Sequence, residues 1–260
     1  MSKIKKLSVR ELKHGDLDRT YKISVFRENY IRRSGTNDTE SFILHLVAEE
    51  DQFLTRQCSY YMWRQWFPVE NEYRVEQRKD VAKWAITLAF PLGKRFTGKN
   101  MIAAGIYALH PTEMVTGFPF IIQTDFLLVS SRESIIFNNN WNQGILHCIP
   151  LAFCSAFRAL ISVKSPLSSK VGVFGYLPCD IPCYPQLTQV RDAIQAQLKA
   201  EDVILCDVSF GGKICKPTEA RTILPAFKHI IERASKQGQQ SELAHLFCRN
   251  VHIVHPSLDK

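Results

Sequence analysis

The sequence lacks the segments that would direct it to a membrane or out of the cell. Its longest apolar runs, such as IPLAFCSAF at residues 149–157, fall well short of the ~20 residues that cross a bilayer. Residues 1–10 contain neither the apolar stretch nor the small-residue cleavage site of a signal peptide. We therefore expect an intracellular protein that does not engage a membrane.

Motifs of common enzyme classes are also missing. The sequence has no serine nucleophile elbow and no His-Glu-x-x-His zinc motif. Spacings that superficially suit zinc occur at His245, Cys248, His252 and His255. Because His252 and His255 point to opposite faces if residues 251–254 form a strand, they are poor joint ligands. Cys179 and Cys183 have no second pair at a zinc-finger distance, so we predict no metal site.

The composition is that of a folded protein with a basic surface. Its 260 residues are 45% hydrophobic, which is sufficient for a buried core. The eight cysteines are expected to be reduced thiols, because disulfides are rare inside cells. The formal charge of +8 would suit nucleic acid, but the basic residues are scattered. Nucleic-acid binding is therefore possible but not favoured.

A group of aromatic residues offers a second reason to consider nucleic acid. Its members are Tyr60, Tyr61, Trp63 and Trp66. Such side chains can stack on bases, although at strand spacing they more often belong to a core or a sheet surface. We expect core positions.

Period-two alternation of apolar residues predicts that strands dominate the first half of the chain. The predicted strands are residues 21–26, 42–48, 58–69, 84–90 and 105–109. A further strand of about ten residues is predicted at 118–128, where even positions are mostly apolar and Gln123 and Asp125 lie on the other face. It ends in Ser130, Ser131, Arg132 and Glu133.

The pattern changes to helical spacing after this segment. Apolar residues at 145–160 predict a helix that Pro150 kinks or divides, with a capping residue among Asn138, Asn139 and Asn140. Further helices are predicted at 187–198, 218–236 and 243–247, followed by a strand at 251–254. The predicted fold is α+β: a mixed β-sheet with packed helices in residues 1–165, and a mainly helical region in residues 166–260.

One segment partly matches a phosphate-binding loop. Residues 93–99 match the first seven positions of the motif, G-x-x-x-x-G-K, with Gly93, Gly98 and Lys99 at its fixed positions. They follow a predicted strand. The eighth position should be Ser or Thr to hold magnesium, but it is Asn100. The following residues soon return to a strand-like pattern, whereas the motif requires a helix. A basic loop is the favoured interpretation.

The segments WAITLAFP, GIYALHPTEMVTGFPFIIQTDFLLVSSRE and NNNWNQGIL resemble the plant NO VEIN family of large nuclear proteins. They are also similar, more distantly, to the repeated ATPase regions of sacsin. The resemblance is strong over residues 42–164 and looser beyond, where KPTEARTILPAF is similar to a family segment. In both families, a region with this kind of sequence follows a nucleotide-binding domain of the histidine-kinase and heat-shock-chaperone type.

The resemblance implies a position downstream of that domain. The superfamily binds ATP with an Asn-bearing helix, an Asp-x-Gly-x-Gly turn and a Gly-rich lid, and the chain contains no Asp-x-Gly-x-Gly. We therefore expect no enzyme activity of its own and no cofactor, with ATP engaged only through a partner. A working module and a truncated remnant of a longer protein both fit this expectation. Nuclear localisation is implied by the resemblance alone.

The resemblance also suggests a role for the residues at the end of the predicted strand. The middle domain of the ninety-kilodalton heat-shock chaperone ends a comparable strand with Ser-Arg-Glu, and its arginine contacts the γ-phosphate. By resemblance, Arg132 would sense phosphate, with Ser131 beside it and Glu133 orienting it. Alternatively, Arg132 pairs with Asp125, Glu133 or a carbonyl.

We thus expect a non-catalytic, protein-interacting module that supplies Arg132 to an ATPase partner of the same family. The alternatives are an autonomous nucleotide-binding enzyme that uses Gly93, Gly98 and Lys99, and a basic module associated with nucleic acid.

Overall fold

A computed structural model of the chain describes residues 6–11, 19–28, 38–50, 53–92, 105–162, 172–206, 214–221 and 252–253. The chain divides into two compact units, one of Met1–Phe153 with Pro178–Val190 and one of Cys154–Leu177 with Arg191–Lys260. The predicted boundary at residue 165 lies outside the described residues. The division into residues 1–165 and 166–260 therefore stays a prediction.

An eight-stranded sheet forms the framework of the first unit within the described residues. Its strands are β1 (Lys6–Glu11), β2 (Arg19–Glu28), β3 (Thr39–Glu50), β4 (Phe53–Pro68), β5 (Lys83–Leu92), β6 (Gly105–Ala108), β7 (His110–Val115) and β8 (Ile121–Gln123). Their order is β1-β2-β3-β4-β5-β8-β6-β7. The pairs are antiparallel except β6 with β8, which is parallel. The sheet is therefore mixed, and the predicted α+β class is confirmed.

The strand predictions succeeded where the alternation was long. The strands predicted at 21–26, 42–48, 58–69, 84–90 and 105–109 correspond to β2 through β6, and β4 ends at Pro68 as expected. Strand β7 was not predicted. Its sequence HPTEMV has mostly exposed side chains, with only Met114 buried, so it carries little apolar alternation.

The prediction of a ten-residue strand at 118–128 was wrong in length. Strand β8 covers only Ile121–Gln123. The even positions are nevertheless buried as predicted from Phe118 to Phe126. The ladder ends because side chains of a helix, instead of a strand, bind the backbone of Asp125 and Leu127. Alternating burial therefore persists without continued strand pairing.

Aromatic side chains of strand β5 and helix α1 (Asn140–Ile161) build the core of the first unit. The Trp84 and Trp141 rings meet edge to face with centroids 5.5 Å apart. The Phe153 ring lies 5.0 Å from Phe120 and 6.1 Å from Phe90. Such tilted pairs add stabilisation beyond the area they bury, and they fix α1 on the sheet at both Trp141 and Phe153.

Helix α1 begins at its predicted cap but is longer and less interrupted than the sequence predicted. The Asn139 side chain accepts the Trp141 N–H at 2.9 Å, which confirms the predicted asparagine cap. The helix runs through Pro150 instead of dividing there. By length and composition alone, α1 is long and apolar enough to cross a membrane. Buried core helices of soluble proteins meet the same criteria, and most of α1 is buried.

Helix α2 (Pro185–Lys199) confirms the helix predicted at 187–198. Its predicted apolar face is Leu187, Val190, Ile194 and Leu198, and all four are buried. In the second unit, β9 (Ile204–Leu205) pairs with β10 (Ile214–Cys215). Strand β11 (Ala220–Arg221) pairs with β12 (His252–Ile253), which confirms a strand near residues 251–254.

The helix predicted at 218–236 was wrong at its start. The Lys216 carbonyl accepts the N–H groups of Glu219 and Ala220, so the chain turns there and enters β11. The rest of that prediction, and the helix predicted at 243–247, lie outside the described residues.

Candidate functional site on the 127–136 hairpin

Residues 127–136 form a short hairpin, and its tip carries the residues singled out from the sequence. The Val129 N–H donates to the Ser134 carbonyl and the Ile136 N–H donates to the Leu127 carbonyl, each at 3.0 Å. The Arg132 N–H closes the tip by donating to the Val129 carbonyl at 2.9 Å. Ser130, Ser131, Arg132 and Glu133 therefore form the turn of a hairpin, whereas the sequence had placed them at the end of a long strand.

The hairpin lies against the edge of the large sheet. The Glu113 N–H of β7 donates to the Glu133 carbonyl at 3.0 Å. Next to it, the Ile135 N–H points to the Met114 sulfur at 3.3 Å, with both residues buried. These contacts tie the second arm of the hairpin to β7, so the tip is held at a defined place on the sheet.

Arg132 adopts an uncommon backbone conformation at this tip. Its φ is 64°, in the left-handed region that costs a non-glycine residue roughly 1–2 kcal/mol. Its side chain is exposed. Within the described part of the chain, its guanidinium has no hydrogen-bond or ion-pair partner. The alternative of an Arg132 neutralised by Asp125 or Glu133 is therefore not what the structure has.

The two neighbours of Arg132 at the tip bind each other. The Ser131 hydroxyl donates to the Glu133 carboxylate at 3.1 Å, and both residues are exposed. The Glu133 carboxylate is thus positioned by Ser131 beside the arginine in the chain, without forming an ion pair with it. An orienting role for Glu133 stays a prediction.

Asp125 is held by another arginine. Arg78, at the end of the 3₁₀ helix Glu76–Arg78, donates from Nε and one terminal nitrogen to the two Asp125 oxygens at 2.6 and 3.0 Å. The carboxylate raises the pKa of Arg78 above its ordinary value. This bidentate geometry is the strong form of such a pair, and it leaves Asp125 engaged away from Arg132.

Asn142 fixes the base of the hairpin. Its Oδ1 accepts the Leu127 N–H at 2.8 Å, and its Nδ2 donates to the carbonyls of Leu127 and Ile136 at 2.7 and 2.9 Å. The side chain is fully buried. The sequence predicted a capping residue among residues 138–140 but did not single out Asn142. No sequence pattern singled it out, because its burial depends on tertiary contacts between α1 and the hairpin.

The other predicted nucleotide site lies outside the described residues. Gly93, Gly98 and Lys99 all fall between β5 and β6, in residues 93–104, which the structure does not describe. The sequence predicted a strand soon after this loop, and β6 does begin at Gly105. The loop itself stays a prediction.

The metal candidates give no site among the described side chains. Cys179 and Cys183 are exposed. His245, Cys248 and His255 lie outside the described residues, and only the backbone of His252 is placed, in β12. Over the residues that the structure describes, no group of three or more His, Cys, Asp or Glu side chains converges on a point.

The four aromatic candidates divide between the two faces of β4. Tyr61 and Trp63 are buried, as expected for core residues, whereas Tyr60 and Trp66 are half-buried on the other face. Two arginines share that second face, but both bind Glu40: Arg27 in a close ion pair and Arg64 at 3.3 Å. The basic charge there is partly neutralised, which does not favour a phosphate backbone.

The site is therefore a hydrogen-bonded hairpin with an arginine at its tip, held at the edge of a mixed sheet. Comparison with known proteins shows similarity to Protein NO VEIN of Arabidopsis thaliana, with 34% identity over 104 residues. The match covers 38% of this chain and about 4% of that protein. A loose relationship to NO VEIN is thus confirmed, whereas the resemblance to sacsin stays a prediction. No protein-family model matches the chain, and no solved structure does so at a significant level.

Proposed function

We propose that the chain is a non-catalytic, protein-interacting module that presents Arg132 to the phosphate of a nucleotide held by an ATPase partner. The partner would be a histidine-kinase and heat-shock-chaperone-type domain of the kind found in NO VEIN-like and sacsin-like proteins. The observation that carries the proposal is an exposed guanidinium, free of partners among the described residues, on a hairpin whose base is fixed by a buried asparagine.

The chemistry of the tip supports this role. Guanidinium is a planar, permanent cation whose donors match phosphate oxygens. When the backbone that carries a side chain is already fixed, less conformational entropy is lost on contact with the target. Asn142 and the Glu113–Glu133 backbone bond hold that backbone. The Arg78–Asp125 pair engages one of the two carboxylates that the sequence offered as partners for Arg132.

A binding experiment tests the proposal. The whole chain would be titrated with a NO VEIN-type nucleotide-binding domain loaded either with a non-hydrolysable ATP analogue or with ADP. We expect tighter binding to the analogue, and we expect Arg132→Ala to abolish the preference. Lys79→Ala is the matched control, since it removes an exposed cation elsewhere. Equal affinity of the wild-type chain for both loaded forms would contradict the proposal.

The alternative of an autonomous nucleotide-binding enzyme rests on the sequence of the Gly93–Lys99 loop alone. It predicts that the isolated chain binds ATP with magnesium and that Lys99→Ala abolishes this binding. The proposed role predicts that calorimetric titration of the isolated chain with ATP and magnesium shows no binding. A module bound to nucleic acid would instead show binding to DNA or RNA that weakens steeply with salt.

A further inference from the structure

A pair of buried thiols in the second unit is not used by the proposed function. Cys206 and Cys215 are each 2% exposed, and their sulfurs lie 3.4 Å apart. Cys215 is registered opposite Ile204, and Cys206 follows Ile204 by two positions. Because alternate residues of a strand share a face, both thiols point to the same side of the β9–β10 pair.

We propose that Cys206 and Cys215 are a redox modification site that closes into an intrachain disulfide. The sulfurs need to approach by roughly 1.3 Å to reach the disulfide bond length of ~2.05 Å. The strand pairing holds Cys215 in place, with the Val203 N–H donating to the Cys215 carbonyl at 3.1 Å. Cys206 directly follows β9. The resulting loop would cross-link the two ends of the segment between β9 and β10.

The oxidant is a small disulfide such as glutathione disulfide. One thiolate attacks it, which forms a mixed disulfide and releases one glutathione thiol. The second thiol then displaces glutathione, so that one S–S bond joins Cys206 and Cys215. Two S–H bonds have broken, two electrons have passed to the oxidant, and two glutathione thiols are the products.

The raised pKa of Cys215 makes this closure slow, and the contact between the two sulfurs makes it selective. Burial, the neighbouring Cys206 thiol and the charges of Glu219 and Asp202 raise the pKa of Cys215 to about 12. Little thiolate therefore exists at neutral pH, and the rate of closure rises as the pH increases toward that value. Surface cysteines such as Cys179 and Cys183 react first, but they are not held with their sulfurs in contact within the described structure.

The test uses the whole chain. After exposure to glutathione disulfide and blocking of the remaining thiols, peptide mapping should find the 206 and 215 peptides linked, with a mass lower by two hydrogen atoms. Cys206→Ala should abolish the link, and Cys58→Ala should leave it unchanged. The oxidised protein should also melt at a temperature several degrees higher.

Two results would overturn the proposal. One is a wild-type map in which Cys206 and Cys215 remain reduced after the exposed thiols have been consumed. The other is a map in which they carry only glutathione or intermolecular bonds. Both results are peptide maps of the wild-type protein, so neither depends on whether a variant folds.

Discussion

Asn142 binds Leu127 as a neighbouring strand would, because its amide pairs with both the N–H and the carbonyl of that one residue, at 2.8 and 2.7 Å. A helix side chain thus replaces a strand partner at the base of the hairpin. This relationship explains why sheet pairing ends at β8 while alternate residues remain buried as far as Phe126, and it connects the start of α1 to the residues that carry Arg132.

Asn142→Ala is expected to destabilise the protein. The change leaves the Leu127 N–H without its partner inside the protein, at a cost of roughly 2–4 kcal/mol in the free energy of unfolding. Urea denaturation measures this loss, and hydrogen exchange at the Leu127 amide should accelerate. Asn138→Ala, at an exposed position, is the matched control and should change little. Equal effects of the two substitutions would show that the buried amide is not the basis of hairpin stability.

Arg132→Gly is expected to leave the fold intact. Glycine adopts the left-handed conformation without a Cβ penalty but loses more entropy on folding, so the free energy of unfolding should stay constant or rise by up to about 1 kcal/mol. Arg132→Val should lower it, because a β-branched residue is least suited to positive φ. Urea titration of the two variants measures the difference. Greater loss in the glycine variant would mean that the side chain, not the backbone, stabilises the tip.

Gly144→Ala tests how closely α1 approaches the sheet. An added Cβ would lie 2.4 Å from the Trp84 ring and 2.6 Å from the Tyr73 ring, and such overpacking costs about 1–3 kcal/mol. Thermal unfolding should show a lower melting temperature. Gly175→Ala is the control, since nothing lies within 4 Å of its added Cβ. A melting temperature unchanged by Gly144→Ala would contradict the close packing.

Alkaline pH is expected to weaken the second unit. Burial raises the pKa of Tyr176 from 10.0 to about 12, and burial with the charge of Glu201 raises that of Cys154 from 9.0 to about 12. Between the ordinary and the raised pKa values, Tyr176 and Cys154 have lost their protons in the unfolded chain but keep them in the folded chain. The free energy of unfolding therefore falls as pH rises. Denaturation at about pH 7 and about pH 10 measures the loss, which Tyr176→Phe should reduce. A stability that rises over this interval would contradict the sign.

The sequence was sufficient to predict elements whose apolar period is long and regular. Strand β5 and helix α2 follow their patterns, because a buried face must repeat with the geometry of the element. Strand β7 escaped prediction because its edge position leaves most of its side chains exposed. The length of β8 escaped because the ending depends on Asn142 and Trp141, which lie well beyond it in sequence.

The sequence singled out the residues of the candidate site but did not predict their geometry. Resemblance singled out Ser131, Arg132 and Glu133, yet a strand end was predicted and a hairpin tip was found. The turn depends on a single left-handed residue, and Arg132 carries no sequence signal for positive φ, unlike glycine or asparagine. The partnership of Asp125 with Arg78 was likewise hidden, since the two residues lie far apart in the chain.

The central claim is that Arg132 acts on a nucleotide bound by a partner. The most direct measurement is ATP turnover by a NO VEIN-type nucleotide-binding domain mixed with the wild-type chain, with Arg132→Gly, and with the control Lys79→Ala. The account predicts that Arg132→Gly lowers turnover roughly tenfold or more, as loss of a transition-state arginine does in related chemistry, while Lys79→Ala leaves it unchanged. Equal turnover with the wild-type chain and with a folded Arg132→Gly variant would contradict the account.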